Sequence, residues 1–437
     1  MQLVLKNNRT NLDHYLKLMV KLGIVPEIES KKDHRKRMSI TLLFEHYLGP
    51  NRRIELFHNF AEITKKQGKQ IKYCFMRALE ADSYMPLAHA HKALQILQEP
   101  FKILADLASK GESSSNYDLT LAACEYVQGR SLVMIREVQD GIKMLKKSLE
   151  TRKKLLKKHT YVARNLNAIG HSYFSIKEID KSLKYHKQAV EVLYSVATKG
   201  IHLDMPTFIL NVGTCYHWMG NKAHEDGNKE DGNDFYNKAL AEYDKAIILE
   251  KDMRIYGFPK TAVVLKNKAL TYTEMKEFDK ALTLAMEAME IRMQYLGKEH
   301  PDTARSVYFV GSIYLSQGDV ARNKAAEEES AEEREKSDRL YNIAHNYLKQ
   351  ALEIELSLEP PRRSIDYENT QSDLKKVLKS LQRHAEIDSY EAVFLKANTE
   401  KITTGSDGHD DSSSSSNSGS SESDSEKEDN TMKQKAS

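Results

Sequence analysis

Eight polar side chains recur at fixed distances from a series of small residues, and their chemistry is that of holding another molecule. Arg164 and Arg305 stand six places before Gly170 and Gly311, Asn167 and Lys266 three places before Gly170 and Ala269, and Arg130 and His171 one place after Gly129 and Gly170. Asn211 and Asn267 lie two places before Gly213 and Ala269. Guanidinium and ammonium groups pair with carboxylates, and an amide supplies both donor and acceptor, which suits an extended peptide backbone. Signatures of bond-breaking chemistry are missing: the sequence has no GxxxxGK followed by Ser or Thr, no GxGxxG, no HExxH and no GxSxG. Its 16 His residues do not cluster with Cys or carboxylates at ligand spacing. The run EDGNKEDGND from Glu225 has the composition of a calcium loop but not its order. Counted from Asp226, the position that needs Gly holds Asp231, and Asn237 replaces the bidentate Glu. The reading is a non-enzymatic protein with no catalytic residue, no metal and no cofactor.

Such side chains need regular helices behind them. The small residues Gly129, Gly170, Gly213, Ala269 and Gly311 are 41, 43, 56 and 42 positions apart, a repeat register of 42. Leu132, Tyr173, Tyr216, Tyr272 and Tyr314 follow three places later, one turn along the same helix face. A second helix shows small residues 12 and 19 places on, at Gly141 and Ser148, Ser182 and Ala189, and Ala281 and Ala288. The longest spacing fits once 14 residues near 221–235 are set aside, which brings Ala239, Tyr243 and Ala246 into register. The last unit takes 21 extra residues near 321–340 before Ala344, Leu348 and Ala351. Both insertions are expected in the turn between paired helices. Small side chains let two helix axes approach to roughly 8–10 Å. Pro206, Pro259 and Pro301 suit the starts of three first helices, with Asp204 and Asp302 favourable at their positive ends.

In this pattern the chain resembles the tetratricopeptide repeat family, with a period similar to that of kinesin light chains and nephrocystin-like arrays. The resemblance is carried by LGKEHPDTARSVYFVGSIYLSQGD, Leu296 to Asp319, and by KQALEIEL from Lys349, and it covers Tyr117 to Leu381. It implies an all-α fold, a right-handed superhelical solenoid of antiparallel helix pairs whose first helices line a concave groove for a peptide or partner helix. Arg130, Arg164, Asn167, His171, Asn211, Lys266, Asn267 and Arg305 would line that groove and favour an acidic or amphipathic ligand. Asn211 and Asn267 match asparagines of the kinesin light chain pattern that contact peptide backbone, while Val127, Ala168 and Phe309 stand there in the other units. A chaperone-type carboxylate clamp is not matched, because Arg130, His171, Thr214, Leu270 and Ser312 stand where it has asparagine. Glu125 and Gln128 in the first unit, and Lys268 in the fourth, depart from the apolar pattern.

Composition sets the frame around the array. With 40% hydrophobic and 30% charged residues, the 437-residue chain suits a soluble helical solenoid. No apolar run reaches the roughly 18 residues of a membrane span, and MQLVLKNNRT turns polar too early for a signal peptide. Cys74, Cys124 and Cys215 lack metal-like spacing and fit a reducing compartment. A cytoplasmic location is expected, with the nucleus as the alternative suggested by the basic run KKDHRKR, Lys31 to Arg37.

Four segments are expected. Residues 1–116 form a helical amino-terminal region with candidate degenerate repeats at Ala61 to Glu80 and Ala88 to Ala108, and ESSSN, Glu112 to Asn116, marks a loop before the array. Residues 117–358 form five helix pairs. Residues 359–400 form capping helices with the stripe Leu374, Val377, Leu378 and Leu381, and residues 401–437 form a disordered acidic tail. The second insertion contains NKAAEEESAEEREKSDR, Asn323 to Arg339, whose strong helix formers should extend a helix. A coiled-coil contact there is the sharper alternative, although the apolar seam it needs is lacking. From Gly405 to Asn430 five Asp and three Glu face only Lys427, so this stretch carries −7 and leaves +10 for the remainder of a chain of net charge +3. Ser421, Ser423 and Ser425 each precede an acidic residue by three places, a spacing for acidophilic kinases. The functional reading is a protein-interaction scaffold that binds a protein or peptide, no nucleic acid, and inserts in no membrane. A kinesin-light-chain-like cargo adaptor and the regulatory repeat arm of a signalling NTPase are the alternatives.

Overall fold

Apolar residues at helical spacing, punctuated by short polar turns, build helix after helix along the chain, and no strand occurs among the described residues. The computed structural model describes residues 50–197, 202–253, 257–358 and 367–403, with side chains in the last helix as far as Phe394. Lys31 to Arg37, Pro360, Pro361, Ser421, Ser423 and Ser425 lie outside the described residues. The helices are α1 (Pro50–Lys66), α2 (Gln70–Ser83), α3 (Ala90–Ser109), α4 (Ser115–Met134), α5 (Val138–Leu156), α6 (Thr160–Ser175), α7 (Ile179–Val196), α8 (Met205–Glu225), α9 (Lys229–Asp252), α10 (Pro259–Glu274), α11 (Phe278–Leu296), α12 (Pro301–Glu327), α13 (Ala331–Ser357), α14 (Tyr367–Ser380) and α15 (His384–Thr403).

From α4 onward the helices pack as five pairs, α4/α5 through α12/α13, and the second helix of each pair leans on the first helix of the next. First helices also meet one another, α4 against α6, α8 against α10 and α10 against α12, so they form the inner wall of the stack. This is an all-α solenoid of antiparallel pairs. Its core runs on without a break between units, with Leu145, Leu166, Ile169, Leu193, Ile209 and Leu265 in one cluster.

The small residues stand where paired helices cross. A Cβ placed on Gly129 would come 2.8 Å from the Gly141 carbonyl oxygen, one on Gly170 would come 2.7 Å from His186, and one on Gly213 would come 2.6 Å from Tyr243. Gly311 is less tight, 3.1 Å from Leu348. Ala239, Ala246, Ala269, Ala281, Ala288 and Ala351 are all buried. Ser148 is buried too, and its hydroxyl donates to the Ala122 carbonyl at 2.6 Å.

The aromatic residues one turn further on are half-buried rather than central. Tyr173 stacks on Tyr185 at 5.5 Å and Tyr314 on Tyr347 at 5.8 Å, Tyr216 faces Phe235 at 6.4 Å, and lysines cover Tyr272. They seal the flank of each pair. The apolar-pattern departures are answered by charge: Glu125 pairs with Lys147 at 2.7 Å and Lys268 with Asp244 at 2.5 Å. Burial nonetheless pushes the Glu125 carboxyl above its ordinary range, with Lys147 opposing.

The two insertions do not form longer turns, contrary to the expectation from spacing. All five pairs close through three residues, and the middle one is left-handed in each, at Arg136, Lys177, Gly227, Lys276 and Glu329. The added residues continue both helices instead. α8 runs 12 residues past Gly213, where α4, α6 and α10 run five past their small residue, and α9 starts ten before Ala239 where α5, α7 and α11 start three before theirs. The extensions pack by the same rule. A Cβ on Gly220 would come 2.5 Å from Tyr236 and one on Gly318 would come 2.8 Å from Tyr341, and the Ser337 hydroxyl donates to the Gly318 carbonyl at 3.0 Å. Residues 225–234 are accordingly a helix end, a turn and a helix start, with the Asn228 side chain accepting from Asp231 N at 3.3 Å.

Both flanks join this stack. α2 and α3 pack on α4, and Phe57, Tyr73, Leu79 and Leu97 share a cluster with Tyr117, Cys124 and Val127. Ala88 to Ala108 is chiefly the single helix α3, with Pro100 inside it, and Ala61 to Glu80 spans the α1–α2 hairpin. Helix α4 begins at Ser115 with Ser114 as its cap, so ESSSN is only partly loop. At the other end α14 packs on α13 and buries Leu374, Val377 and Leu378. Helix α15 continues to Thr403, three residues into the segment expected to be disordered.

Replacing Ala281 with Leu should overpack the α10–α11 crossing and cost about 1–3 kcal/mol. The urea midpoint should fall with an unchanged slope, and an unmoved midpoint would remove the packing role.

Candidate functional site

The inner wall of first helices collects the polar side chains that the sequence marked. They form two connected groups. In the first, Asn211 of α8 donates to Asn167 Oδ1 of α6 at 2.9 Å and contacts His171 Nε2 at 3.2 Å. Asn167 Oδ1 also meets His186 Nδ1 at 2.8 Å, and the His171 and His186 rings stand edge to face at 5.0 Å. In the second, Asn267 of α10 donates to the Thr214 hydroxyl of α8 at 3.2 Å, and the Lys266 ammonium lies over the Phe309 ring of α12 at 5.4 Å. The asparagines thus tie neighbouring units together. An amide has two donor hydrogens and an acceptor oxygen, so Asn211 and Asn267 retain capacity beyond these bonds.

The cations are not a bare positive row. Arg164 makes a two-point contact with Asp204, at 2.7 Å from Nε and 3.3 Å from Nη2, Arg130 pairs with Asp82 of α2, and Arg305 meets Asp302 at 3.3 Å within the first turn of α12. Burial would raise the Asp204 carboxyl, but the charge and hydrogen bonds of Arg164 hold it down at about 2. Asp204 therefore serves its neighbour rather than the start of α8, where it makes no side-chain cap. Asp302 does lie in the first turn of α12, whose cap is His300. Pro206, Pro259 and Pro301 all stand in the opening positions of their helices.

Spacing alone revealed neither Asp82 nor the pairing role of Asp204; the two reach their arginines from 48 and 40 residues away, close to one unit along the chain. Nor did it reveal Arg152, which comes from a second helix and is buried between Tyr126 and Tyr161. Beneath the wall, His217 is buried and meets the Thr271 hydroxyl at 2.9 Å. Burial, reinforced by the charge of Lys266, lowers its imidazole to about 4. Among the described residues no three His, Cys, Asp or Glu side chains gather as a metal site would need, and no helix is long and apolar enough to cross a membrane. Cys74, Cys124 and Cys215 are free thiols, all buried.

Residues 260–330, from α10 to the turn after α12, match the family model of the tetratricopeptide repeat. The photosystem I assembly protein Ycf3 of Rippkaea orientalis is 31% identical over 81 residues, 18% of this chain and 42% of that protein, so the chain spans less than half the length of this curated relative. Among solved structures, the apo form of RapI is similar over 84% of this chain and 98% of its own, at 13% identity and a TM-score of 0.49. A putative kinesin light chain from Podosopora anserina is similar over 50% of this chain and 94% of its own, at 13% identity and a TM-score of 0.37. The chain carries tetratricopeptide repeats.

The His217 imidazole gives the fold a signed pH dependence. Unfolded, the ring titrates near 6.5; folded, it stays neutral down to about 4, so its contribution is whole above pH 6.5 and is lost as pH falls toward 4. The loss approaches about 3 kcal/mol at full protonation. His217→Gln should lose less stability than the native chain between pH 7 and pH 4.5 in parallel urea titrations. Parallel losses would show that other groups govern the acid response.

Proposed function

We propose that this protein is a non-enzymatic interaction scaffold whose inner wall of first helices holds an extended or helical segment of another protein. The observation that carries this reading is the run of amides from Asn167 through Asn211 to Asn267, which crosses three successive units on one wall and keeps hydrogen-bonding capacity. Protein interaction is the use the tetratricopeptide repeat match suggests, and extended segments are recognised through their backbone groups. Catalysis has no assigned residue in this reading.

The ligand we infer is amphipathic with acidic residues. Internal pairing of Arg130, Arg164 and Arg305 moderates the positive character of the wall, so charge steers while apolar contact supplies more of the affinity. Lys266 lies over the Phe309 ring and its charge also reaches His217. A cargo adaptor of the kinesin light chain kind and the repeat arm of a signalling NTPase are narrower versions of the same binding role.

Lys266→Glu should weaken binding of an acidic amphipathic peptide by about tenfold at low salt and by less at high salt, since screening shortens the reach of surface charge. Fluorescence anisotropy at two ionic strengths measures this. Equal binding of acidic and basic peptides matched in length and apolar content would defeat the charge preference.

A further inference from the structure

At the amino-terminal end of the inner wall a shallow, open recess lies between α2, α4 and α6. Phe75, Leu79, Leu119 and Val127 give it apolar sides, and the Arg152 guanidinium lines it from α5. Arg152 is only 4% exposed. Its charge lies 4.5 Å from the Tyr126 ring centre and 5.4 Å from that of Tyr161, and one hydrogen bond runs from Nη1 to the Tyr161 carbonyl at 3.4 Å. No described carboxylate lies within ion-pair distance of it. The other charged groups of the recess are already matched, Asp82 with Arg130 and Arg164 with Asp204.

A guanidinium out of water normally has a carboxylate or several acceptors, because its desolvation is costly. Stacking on aromatic rings covers its faces and offsets part of that cost, while its N–H groups lie in the plane of the guanidinium, at its edge. A planar fork of this kind fits a carboxylate in two-point fashion. The neighbouring apolar surface offers a shallow seat against which an apolar side chain can lie.

We propose that the recess takes an apolar side chain of a partner segment and that Arg152 pairs with an Asp or Glu carboxylate next to it in that segment. This rests on the peptide-binding reading above and gives it an anchor at one end. The chain's own acidic stretch from Gly405 to Asn430 has carboxylates but no apolar residue, so it can meet Arg152 and leave the recess unfilled. The occupant is therefore another protein.

The test uses the full chain and four dye-labelled peptides, acetylated and amidated, with Glu-Phe-Glu, Gln-Phe-Gln, Glu-Ala-Glu or Gln-Ala-Gln in the middle of one Gly/Ser frame. Exchanging Glu for Gln should weaken binding to the native protein about tenfold, the scale of a charge-assisted pair, and less than about twofold to Arg152→Met. Ala123→Met, which fills the recess and keeps the arginine, should erase the difference between Phe and Ala peptides while preserving that between Glu and Gln. Thermal melts confirm that each variant is folded, and should Arg152→Met fail to fold, the Ala123→Met arm decides. Equal Glu-to-Gln penalties in native and Arg152→Met proteins would make the arginine a structural strut and overturn the anchor. Peptides that ignore both variants yet weaken with Lys266→Glu would overturn the recess and keep the groove. No binding of any peptide to the native protein would overturn both.

Discussion

Close approach of two paired helices is the constraint on which the remaining architecture hangs. At each crossing the space for a side chain is already taken, by a carbonyl at Gly129, an imidazole at Gly170 and a phenol ring at Gly213. A pair that tight is a thin slab with a defined tilt, and slabs stacked through second helix on first helix bring the first helices together along one wall. The polar residues of that wall need no special loops. Their positions follow from helical pitch once the crossing point is set, which is why Asn211 reaches Asn167, and Asn267 reaches Thr214, in the preceding unit.

Much of this could be read from residue spacing. The crossings at Gly170, Ala281 and Ala288, the proline starts and the five pairs follow from periodicity because steric exclusion acts on single positions at regular intervals. Spacing placed both insertions in turns because only a 42-residue register was sought, although the helix formers of Asn323 to Arg339 already pointed to a continued helix there. Gly213 and Gly220, Gly232, Ala239 and Ala246, Gly311, Gly318 and Ala325, and Ser337, Ala344 and Ala351 step by sevens, the signal of helices that continue in contact. The tyrosines one turn along share a helix face with the small residues but lie at its margin, where they stack instead of filling the core.

The site was legible in position and not in pairing. Spacing puts Arg164 and Asn211 on the wall, yet it cannot say that Asp204 neutralises one or that Asn167 greets the other, because those contacts join residues about a unit apart. Ion pairing depends on which neighbour reaches furthest, and side-chain reach across units has no one-dimensional signature. Arg152 was hidden for a different reason. It sits on a second helix, away from the first-helix positions from which the groove was read, and only the folded arrangement places it between two tyrosines.

The lengthened hairpins carry a wider implication. The α8–α9 and α12–α13 pairs gain 14 and 21 residues, both multiples of seven, and keep the same three-residue closure. Each helix of the first pair gains seven residues and those of the second eleven and ten, about two and three turns, so the base of the hairpin never learns that its tip has moved. Such tips are natural grafting points: a lineage can vary the reach of these spurs, and an engineer can splice a reporter into the turn at Gly227 or Glu329, while the stack beneath retains its geometry.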